Sequence, residues 1–471
     1  MQNTLRLIPL LAVLIATSAF ADAEVEFYKD VMPLVESNCI TCHSHDSVSF
    51  SFENADETYV LRMAIADAVR NDRMPPWLAE PGHQEYMDDF SLSGDEKQVF
   101  ADWADAGYPK ADMPPDDTIR AQEYIFEADL SMNVLPVEAY LPDQDRKDDY
   151  RCFIVDWPYE QDMYVTGFMA SPGNLRVAHH LVNHVVGPEG AELIKLMSEE
   201  DEGPGHQCFG GPFPDKLGDE AYRASIDERF PGELEEMVDN SYWLSHWAPG
   251  IYGLSFPENS GVLMRPGSVV VVQMHYYSAF APGESDRNTT MHFQVAADVE
   301  KPAVNHPLTG DNWLGRKEDI TLRIPPGESK TYETSASIQS IADYAAWNLK
   351  IDSEEVAAIE VHSANVHMHD FGASGRSSLL DAGGRKETLL HIPRWDRNWQ
   401  RDFMFTEGKL IPRSEFADSR LIVECTFSNY TDETVFGGYG SDDEMCFNFS
   451  YIAVIRGDNP AVAASGQAIS N

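Results

Sequence analysis

Short apolar runs dominate the chain from Tyr150 to residue 460. Segments such as GSVVVVQMHYYS, AAIEVHSANVHMHDFG and NFSYIAVIRG are rich in β-branched and aromatic residues, and turn-forming residues separate them. This pattern is typical of antiparallel strands in sandwiches. The region is long for one sandwich, so it predicts two all-β antiparallel, jelly-roll-like domains over 150–301 and 302–460. Their junction is expected near VEKPAVNHPLTG, and residues 461–471 form a tail.

The residues before this region have a helical pattern. In the segment 57–71, four apolar residues fall on one helical face: Leu61, Ile65, Ala68 and Val69. Ser93 and Glu96 form a capping box at the start of a later helix, which a glycine and a proline end. We therefore expect a small all-α domain over 24–110, whose own core would be marginal. The Pro- and Asp-rich stretch 111–149 is interpreted as a linker.

The first 21 residues have the pattern of a secretory signal. Arg6 precedes the apolar run LIPLLAVLIA, and Ala19 and Ala21 offer small residues for cleavage. That run is too short to span a membrane, and no other stretch approaches about 20 uninterrupted apolar residues. The sequence therefore predicts a periplasmic or secreted protein without a membrane span.

The net charge of the chain limits the classes of partner that it is expected to bind. The 471 residues include 78 Asp and Glu against 34 Lys and Arg, a formal net charge of −44, and loss of Arg6 with the signal makes it −45. Nucleic acid is not an expected partner, because phosphate binding needs a basic stripe that the sequence lacks. The excess acid is expected on a solvated surface.

Two of the six cysteines lie within the short motif SNCITCHSH. A Cys-x-x-Cys pair followed directly by histidine is typical of covalent haem attachment. Cys39 and Cys42 would form the thioether links, and His43 would bind the iron. An exported protein suits this chemistry, because haem attachment and disulfides both belong outside the reducing cytosol.

The second axial ligand of the haem is expected to be a methionine, which stabilises ferrous iron. In NDRMPPW, Met74 is followed by two prolines that hold the next residues extended, as a strap across a haem face. The competing methionines are Met63, Met87 and Met113. The order of haem motif, helix, methionine strap and terminal helix resembles class I cytochrome c domains over about 85 residues.

Five histidines occur in three strand motifs: His179 and His180, then His275, then His367 and His369. Side chains alternate along a strand, so His367 and His369 project from one face and can bind one ion. Adjacent His179 and His180 should point oppositely, so a shared metal would require a bulge or twist. Such clusters suit zinc, copper, iron or nickel. The default expectation for four other histidines is a hydrogen-bonded core role: His184, His206, His292 and His362.

A further motif, FGGYGSDDEMCFNFSY, places Met445 before Cys446. In order, the chain has a His-His pair, a lone His, a His-x-His and a Gly-rich turn leading to Asp-Glu-Met-Cys. This ordered set resembles the copper type II, ascorbate-dependent monooxygenases, the family of peptidylglycine α-hydroxylating monooxygenase and dopamine β-hydroxylase. A thioether also favours Cu(I) and suits zinc poorly.

The resemblance implies two copper ions in separate sandwich domains. An electron-transfer copper would be bound by His179, His180 and His275. An oxygen-binding copper, the catalytic one, would be bound by three further residues: His367, His369 and Met445.

The four cysteines outside the haem motif permit three pairings. In the family, one disulfide closes the loop before the ligand methionine, and Cys425–Cys446 corresponds to it. Cys152 and Cys208 would then pair in the first sandwich. A loop of this size contributes on the order of 3 kcal/mol by the chain-entropy model.

The sequence thus predicts a copper-dependent monooxygenase with a fused haem c, which hydroxylates a C–H bond of a small organic substrate with O2. An external electron donor, a cytochrome or a small reductant, would supply electrons through the haem. Tethering would raise the haem's effective concentration at the copper domains. The family's substrate-binding residues do not carry over, because Asn365, Phe447 and Phe449 stand where the peptide enzyme has arginine, asparagine and tyrosine. A glycine-extended peptide is not expected, and the two phenylalanines favour a more apolar substrate.

Two other function classes stay open from the sequence. A non-enzymatic haem and copper protein would exchange electrons or handle copper, although storage needs no second domain. A metal hydrolase would use carboxylate ligands or a general base and no soft sulfur. Asp370, beside His369, is the one such acid obvious in the motifs. It is expected to support a metal ligand without binding the metal itself, or to form part of a turn.

Overall fold

The architecture was determined from a computed structural model. It describes residues 25–40, 42–44, 50–112, 118–119, 126–135, 139–146, 148–249, 251, 253–314, 319–440 and 442–457. The predicted signal peptide (1–21), the tail (461–471) and Met113 lie outside the described residues, as do parts of the predicted linker.

Helices are short and few. Within the described ranges the α-helices are α1 Met32–Asn38, α2 Ala55–Val60, α3 Arg62–Arg70, α4 Gly94–Asp105, α5 Ala191–Glu199, α6 Glu220–Arg229, α7 Glu233–Asp239 and α8 Ile338–Leu349. A π-helical turn, Phe27–Val31, precedes α1. Single 3₁₀ turns lie at Asp215–Gly218, Ser278–Phe280, Ser353–Glu355, Arg397–Trp399 and Arg413–Glu415.

Strands are the predominant secondary structure of the described residues. The strands of the first half are β1 Leu130–Asn133, β2 Asp148–Asp156, β3 Met163–Ser171, β4 Ala178–Val186, β5 His206–Gln207, β6 Ser241–Trp247, β7 Leu254–Ser255, β8 Ser260–Met264, β9 Val269–Tyr277 and β10 Thr290–Ala296. Those of the second half are β11 Lys301–Leu308, β12 Arg323–Ile324, β13 Ser329–Ser337, β14 Val356–His367, β15 Gly372–Leu380, β16 Lys386–Ile392, β17 Phe403–Pro412, β18 Arg420–Ser428, β19 Val435–Phe436 and β20 Phe447–Arg456.

The largest sheet has nine strands, in the order β1-β10-β3-β8-β11-β20-β14-β17, with β7 paired to β3. A five-stranded sheet, β5-β2-β9-β4-β6, belongs to the first half, and a four-stranded sheet, β13-β18-β15-β16, to the second. One apolar core contains residues of the five-stranded sheet and the first strands of the large sheet. Another contains α8, the four-stranded sheet and the later strands of the large sheet. The large sheet therefore contributes to both cores.

The predicted fold class is wrong. The protein is mostly β-sheet, 23% helical, and no clear all-α cytochrome c domain lies at the described N-terminal residues. The reason is that the segment after α3 packs into the β region. Ala79 and Tyr86 are buried in the core of the second half, and Trp77 packs edge-on against Phe403 with ring centroids 5.1 Å apart. A helical pattern over 57–71 gave no sign of these contacts.

One sheet spans the two predicted sandwich regions. β11 covers the stretch expected to join them, yet it lies inside the nine-stranded sheet, parallel to β8 and antiparallel to β20. Its two prolines are tolerated because each has a partner strand on one side only. Pro302 pairs with Gly261 in β8, and Pro307 pairs with Phe449 in β20.

Two disulfides join the cysteines as the resemblance implied. Cys152 bonds to Cys208 and Cys425 to Cys446, so the predicted pairing is confirmed. Such bonds indicate an oxidising compartment outside the cytosol. Among the described residues, no helix has the length and apolar character needed to cross a bilayer.

Candidate copper centres

Three histidines of the first half converge in the five-stranded sheet. His180 in β4 lies opposite His275 in β9, and the register between these strands shifts between Ala178 and His180. The shift lets neighbouring His179 and His180 face the same group, as a shared metal site requires. His180 Nδ1 lies 3.1 Å from His179 Nδ1 and 3.4 Å from His275 Nδ1. The possible ligand atoms of the three lie within 4.8 Å of one another.

Strand β2 supports this histidine cluster from one side. Asp148 Oδ1 lies 2.9 Å from His275 Nε2, and Tyr150 stacks on the His275 ring at 4.1 Å with planes 4° apart. When Nε2–H donates to Asp148, the Nδ1 lone pair of His275 faces the other imidazoles. This is the usual arrangement behind a metal-bound histidine.

The pKa values of the cluster keep its nitrogens available as ligands. Burial, with the neighbouring charges of His275 and Arg397, lowers the pKa of His179 to about 4. Burial lowers the pKa of His180 well below its usual value. The pKa of His275 is lowered by burial although Asp148 opposes the shift. All three imidazoles are therefore neutral at pH 7, as metal binding requires.

A second pair of histidines lies at the end of β14. The rings of His367 and His369 have centroids 5.2 Å apart and are nearly perpendicular, at 88°. His367 Nδ1 is hydrogen-bonded to Gln400 Oε1, and His369 Nδ1 lies 3.0 Å from the Asp443 carbonyl oxygen. Both Nδ1 atoms are thus engaged with protein oxygens, which leaves the Nε2 atoms for a metal.

Glu444 joins the Gly-rich turn to the His369 segment. Its carboxylate accepts hydrogen bonds from the backbone N–H groups of His369 at 2.9 Å, Phe371 at 2.6 Å and Met445 at 3.2 Å. Burial raises the pKa of Glu444 to about 7. Met445 follows directly and is 6% exposed. The disulfide at Cys446 holds the other end of this short segment.

Residues between the two histidine groups connect the halves of the molecule. Arg397 forms an ion pair with Asp370 at 2.9 Å. Burial lowers the pKa of both His179 and His369, and the positive charge of Arg397 adds to the shift in each case. The Asp370 carboxylate is therefore paired with the Arg397 guanidinium. Nearby, Gly210 lies against the ring of Tyr439, and a Cβ atom at this glycine would be 2.4 Å from the ring.

The residues predicted to bind haem lie at α1 and beyond α3. Cys39 caps the end of α1, and the His43 N–H donates to the Cys39 carbonyl at 3.0 Å. The His43 ring stacks on Phe52 at 4.1 Å, with Nδ1 2.8 Å from the Phe50 carbonyl oxygen. Met74 is partly buried and follows α3. Of the competing methionines, Met63 is 64% exposed and Met87 packs against the first-half core.

Sequence reasoning missed the residues behind the ligands. Asp148 and Tyr150 lie two positions apart on β2, and this alternation, next to a predicted disulfide cysteine, was a usable signal. Glu444 was visible in the Asp-Glu-Met-Cys motif, but only the structure gives its three hydrogen bonds. Gln400 belongs to no motif and could not have been found.

Structural comparison found distant likenesses to solved structures. The structure of infectious bursal disease virus Gx strain is 12% identical, with a TM-score of 0.18, over 66% of this chain and 58% of that chain. The naturally occurring empty particles of cowpea mosaic virus are 8% identical, with a TM-score of 0.20, over 66% of this chain and 76% of that one. The chain thus spans less than two thirds of the first of these proteins.

No curated protein was found to match this chain. A family model does match part of the second half, and it covers His367, His369 and Met445. The family is one of copper-dependent oxidoreductases. Residues 321–457 match the C-terminal domain of the copper type II ascorbate-dependent monooxygenases.

Proposed function

We propose that this protein is an exported copper monooxygenase that hydroxylates a C–H bond of a small, largely apolar molecule. The reaction consumes the substrate, one O2, two electrons and two protons, and it yields the alcohol and water. The observation that carries the proposal is the convergence of three imidazole Nδ1 atoms in the half of the molecule that the family model does not cover. Storage or handling of copper would not require that second ligand set.

The donor atoms suit copper at both positions. His179, His180 and His275 would hold one ion, and His367, His369 and Met445 the other. Neutral imidazoles suit copper, and a thioether favours the cuprous state. When bound, the two ions would supply one electron each and a site at which O2 is activated.

The surroundings of His367 favour an apolar substrate. Phe447 and Phe449 stack at 5.3 Å, Trp243 stacks on Phe449 at 4.6 Å, and both phenylalanines lie 6.5 Å from the His367 ring. Asn365 donates to Asp402 at 2.8 Å. An anionic substrate would therefore find no arginine fork at position 365 and would meet an aromatic wall.

The electron donor is proposed to act through haem c bound to Cys39 and Cys42, with His43 and Met74 as iron ligands. This assignment does not depend on the class I cytochrome fold. The contact of the His43 Nδ1 with a carbonyl supports it, because it leaves Nε2 for iron. Burial raises the pKa of the Cys42 thiol, and the nearby positive charge of Arg401 opposes that rise. Arg401 is adjacent to Gln400, the partner of His367.

Labelled oxygen tests the activity. Reduced, copper-loaded protein is incubated under ¹⁸O2 with small exported metabolites, and mass spectrometry follows products that gain one labelled atom. Met445→Leu should lower product by about tenfold or more, since even residues behind ligands have effects of that size. Met197→Leu is the matched control, because Met197 is also buried but lies in another core. Normal product with Met445→Leu would refute the assignment, and oxygen uptake that never depends on substrate would favour copper handling.

The haem assignment has its own readout. The Cys39→Ser/Cys42→Ser variant should lose covalently bound haem, measured by its pyridine adduct spectrum, while copper content stays the same. Turnover driven by a cytochrome should fall, whereas turnover driven by ascorbate should persist. Unchanged cytochrome-driven turnover would contradict the relay.

A further inference from the structure

A third group of possible metal ligands lies on the surface, among residues outside the predicted haem and copper sites. It consists of Glu80, His83 and His391, whose ligand atoms all lie within 4.8 Å of one another. Glu80 Oε2 is 2.9 Å from His83 Nε2 and 2.6 Å from His391 Nδ1. One carboxylate oxygen therefore already contacts a nitrogen of each imidazole.

The local sequence brings two of these side chains together. Glu80 and His83 are the first and last residues of the tetrapeptide Glu-Pro-Gly-His, which forms a turn. Gly82 has a φ of +90°, the left-handed conformation that the third position of a type II turn needs, and proline suits the second position. Because such a turn brings its first and fourth residues close, it places the carboxylate beside the imidazole.

The third side chain comes from strand β16, more than 300 residues later. Backbone and side-chain hydrogen bonds hold the two segments in register. The Glu80 N–H donates to the His391 carbonyl at 2.8 Å, Gln84 donates to the Thr388 carbonyl at 3.0 Å, and the Tyr86 hydroxyl donates to the Leu389 carbonyl at 2.8 Å. The three ligands are therefore positioned by contacts that do not depend on an ion.

The exposure of the cluster allows an ion to enter. The side chains of Glu80, His83 and His391 are 44%, 30% and 18% exposed. Arg376 lies 3.5 Å from His391 Nε2, the ring nitrogen that does not contact Glu80. Nδ1 is thus the His391 nitrogen that faces the Glu80 carboxylate. The partly exposed side chains leave the cluster accessible to water.

We propose that Glu80, His83 and His391 bind a divalent transition-metal ion, with zinc as the expected occupant. Two imidazoles and one carboxylate form a common three-ligand set for Zn²⁺, with water in the fourth position. Magnesium and calcium prefer all-oxygen ligands, and Cu(I) prefers sulfur. The metal would fasten the segment after α3 to the four-stranded sheet.

Zinc binding by full-length, copper-loaded protein tests this site. After addition of Zn²⁺ alone and removal of loosely held ions, elemental analysis should find about one zinc less in His83→Ala than in the unchanged protein, with equal copper. His292→Ala is the matched control, since His292 is a half-buried histidine held by two serines. Glu80→Gln should weaken zinc binding by at least tenfold, and the exposed neighbour variant Glu85→Gln should not.

Position and stability provide two further readouts. Anomalous scattering at the zinc edge should give a peak between Glu80 and His391. Zinc should raise the unfolding temperature of the unchanged protein but not that of His83→Ala. If His83→Ala misfolds, Glu80→Gln supplies the comparison. Equal zinc in all variants, or a peak elsewhere, would overturn the proposal without affecting the copper assignments.

Discussion

At the scale of single residues, hydrogen bonds decide which ring nitrogen three of the histidines offer to a metal. His275 uses Nε2 to contact Asp148, which leaves Nδ1 for the cluster with His179 and His180. His367 and His369 use Nδ1 to contact Gln400 and the Asp443 carbonyl, which leaves Nε2. The two groups thus present opposite ring nitrogens, and the fixed tautomers reduce the reorganisation that metal binding would require.

Asp148→Asn tests this role in the first histidine cluster. An asparagine NH2 can donate to His275 Nε2 and so move the ring proton to Nδ1, where it blocks metal binding. We expect copper affinity at this cluster to fall by about 10- to 100-fold, measured by equilibrium dialysis. Asp156→Asn, on the same strand but exposed and paired with Lys195, should leave affinity unchanged. Equal loss in both variants would contradict the role of Asp148.

At the scale of elements, each disulfide fixes the segment beside one histidine group. Cys425 lies in β18, and Cys446 joins the end of the Gly-rich turn to it across 21 residues. Cys152 lies in β2, and Cys208 begins the loop that carries Gly210, across 56 residues. The first bond restrains Met445, and the second restrains the loop against Tyr439.

Removing the disulfides separately should distinguish stability from site geometry. The chain-entropy model predicts losses of about 3 kcal/mol for Cys425→Ser/Cys446→Ser and about 4 kcal/mol for Cys152→Ser/Cys208→Ser. Denaturant titration measures both. We expect only the first variant to weaken copper binding at His367 and His369. If Cys425→Ser/Cys446→Ser leaves copper binding at His367 and His369 unchanged, the Cys425–Cys446 bond contributes to stability alone.

At the scale of the whole molecule, the nine-stranded sheet makes the two halves one structure. Strands β8, β11 and β20 run side by side through it, and Tyr451 and Ala453 of β20 lie in the core of the first half. The neighbouring residues Ile452 and Val454 lie in the core of the second. Alternate side chains of β20 thus pack in the two cores. Loss of this strand would therefore disrupt both halves.

Unfolding should therefore be a single cooperative transition. Val304→Ala in β11 removes buried methyl groups and should destabilise the protein by about 1–2 kcal/mol. Hydrogen exchange with mass spectrometry should then show equal acceleration in β4 of the first half and β18 of the second. Acceleration confined to one half, or two calorimetric transitions, would show that the halves unfold separately.

Residue types and their order along the chain indicated much of the chemistry. The His-His, His and His-x-His motifs, the methionine before Cys446 and the cysteine pairing follow from side-chain chemistry and from the family resemblance. The pairing is confirmed, and residues 321–457 match the model of that family's C-terminal domain. The ligand assignments and the haem remain proposals.

What the sequence alone determined was local: alternating strand patterns, the capping box at Ser93, which is present, and the donor atoms available at each motif. The tertiary structure decided which strands share a sheet, and it overturned the separate helical domain. It also brought His391 to Glu80 from a distant strand. Local patterns cannot encode these outcomes, because a residue's nearest neighbours in sequence do not specify which distant strand or side chain will pack against it.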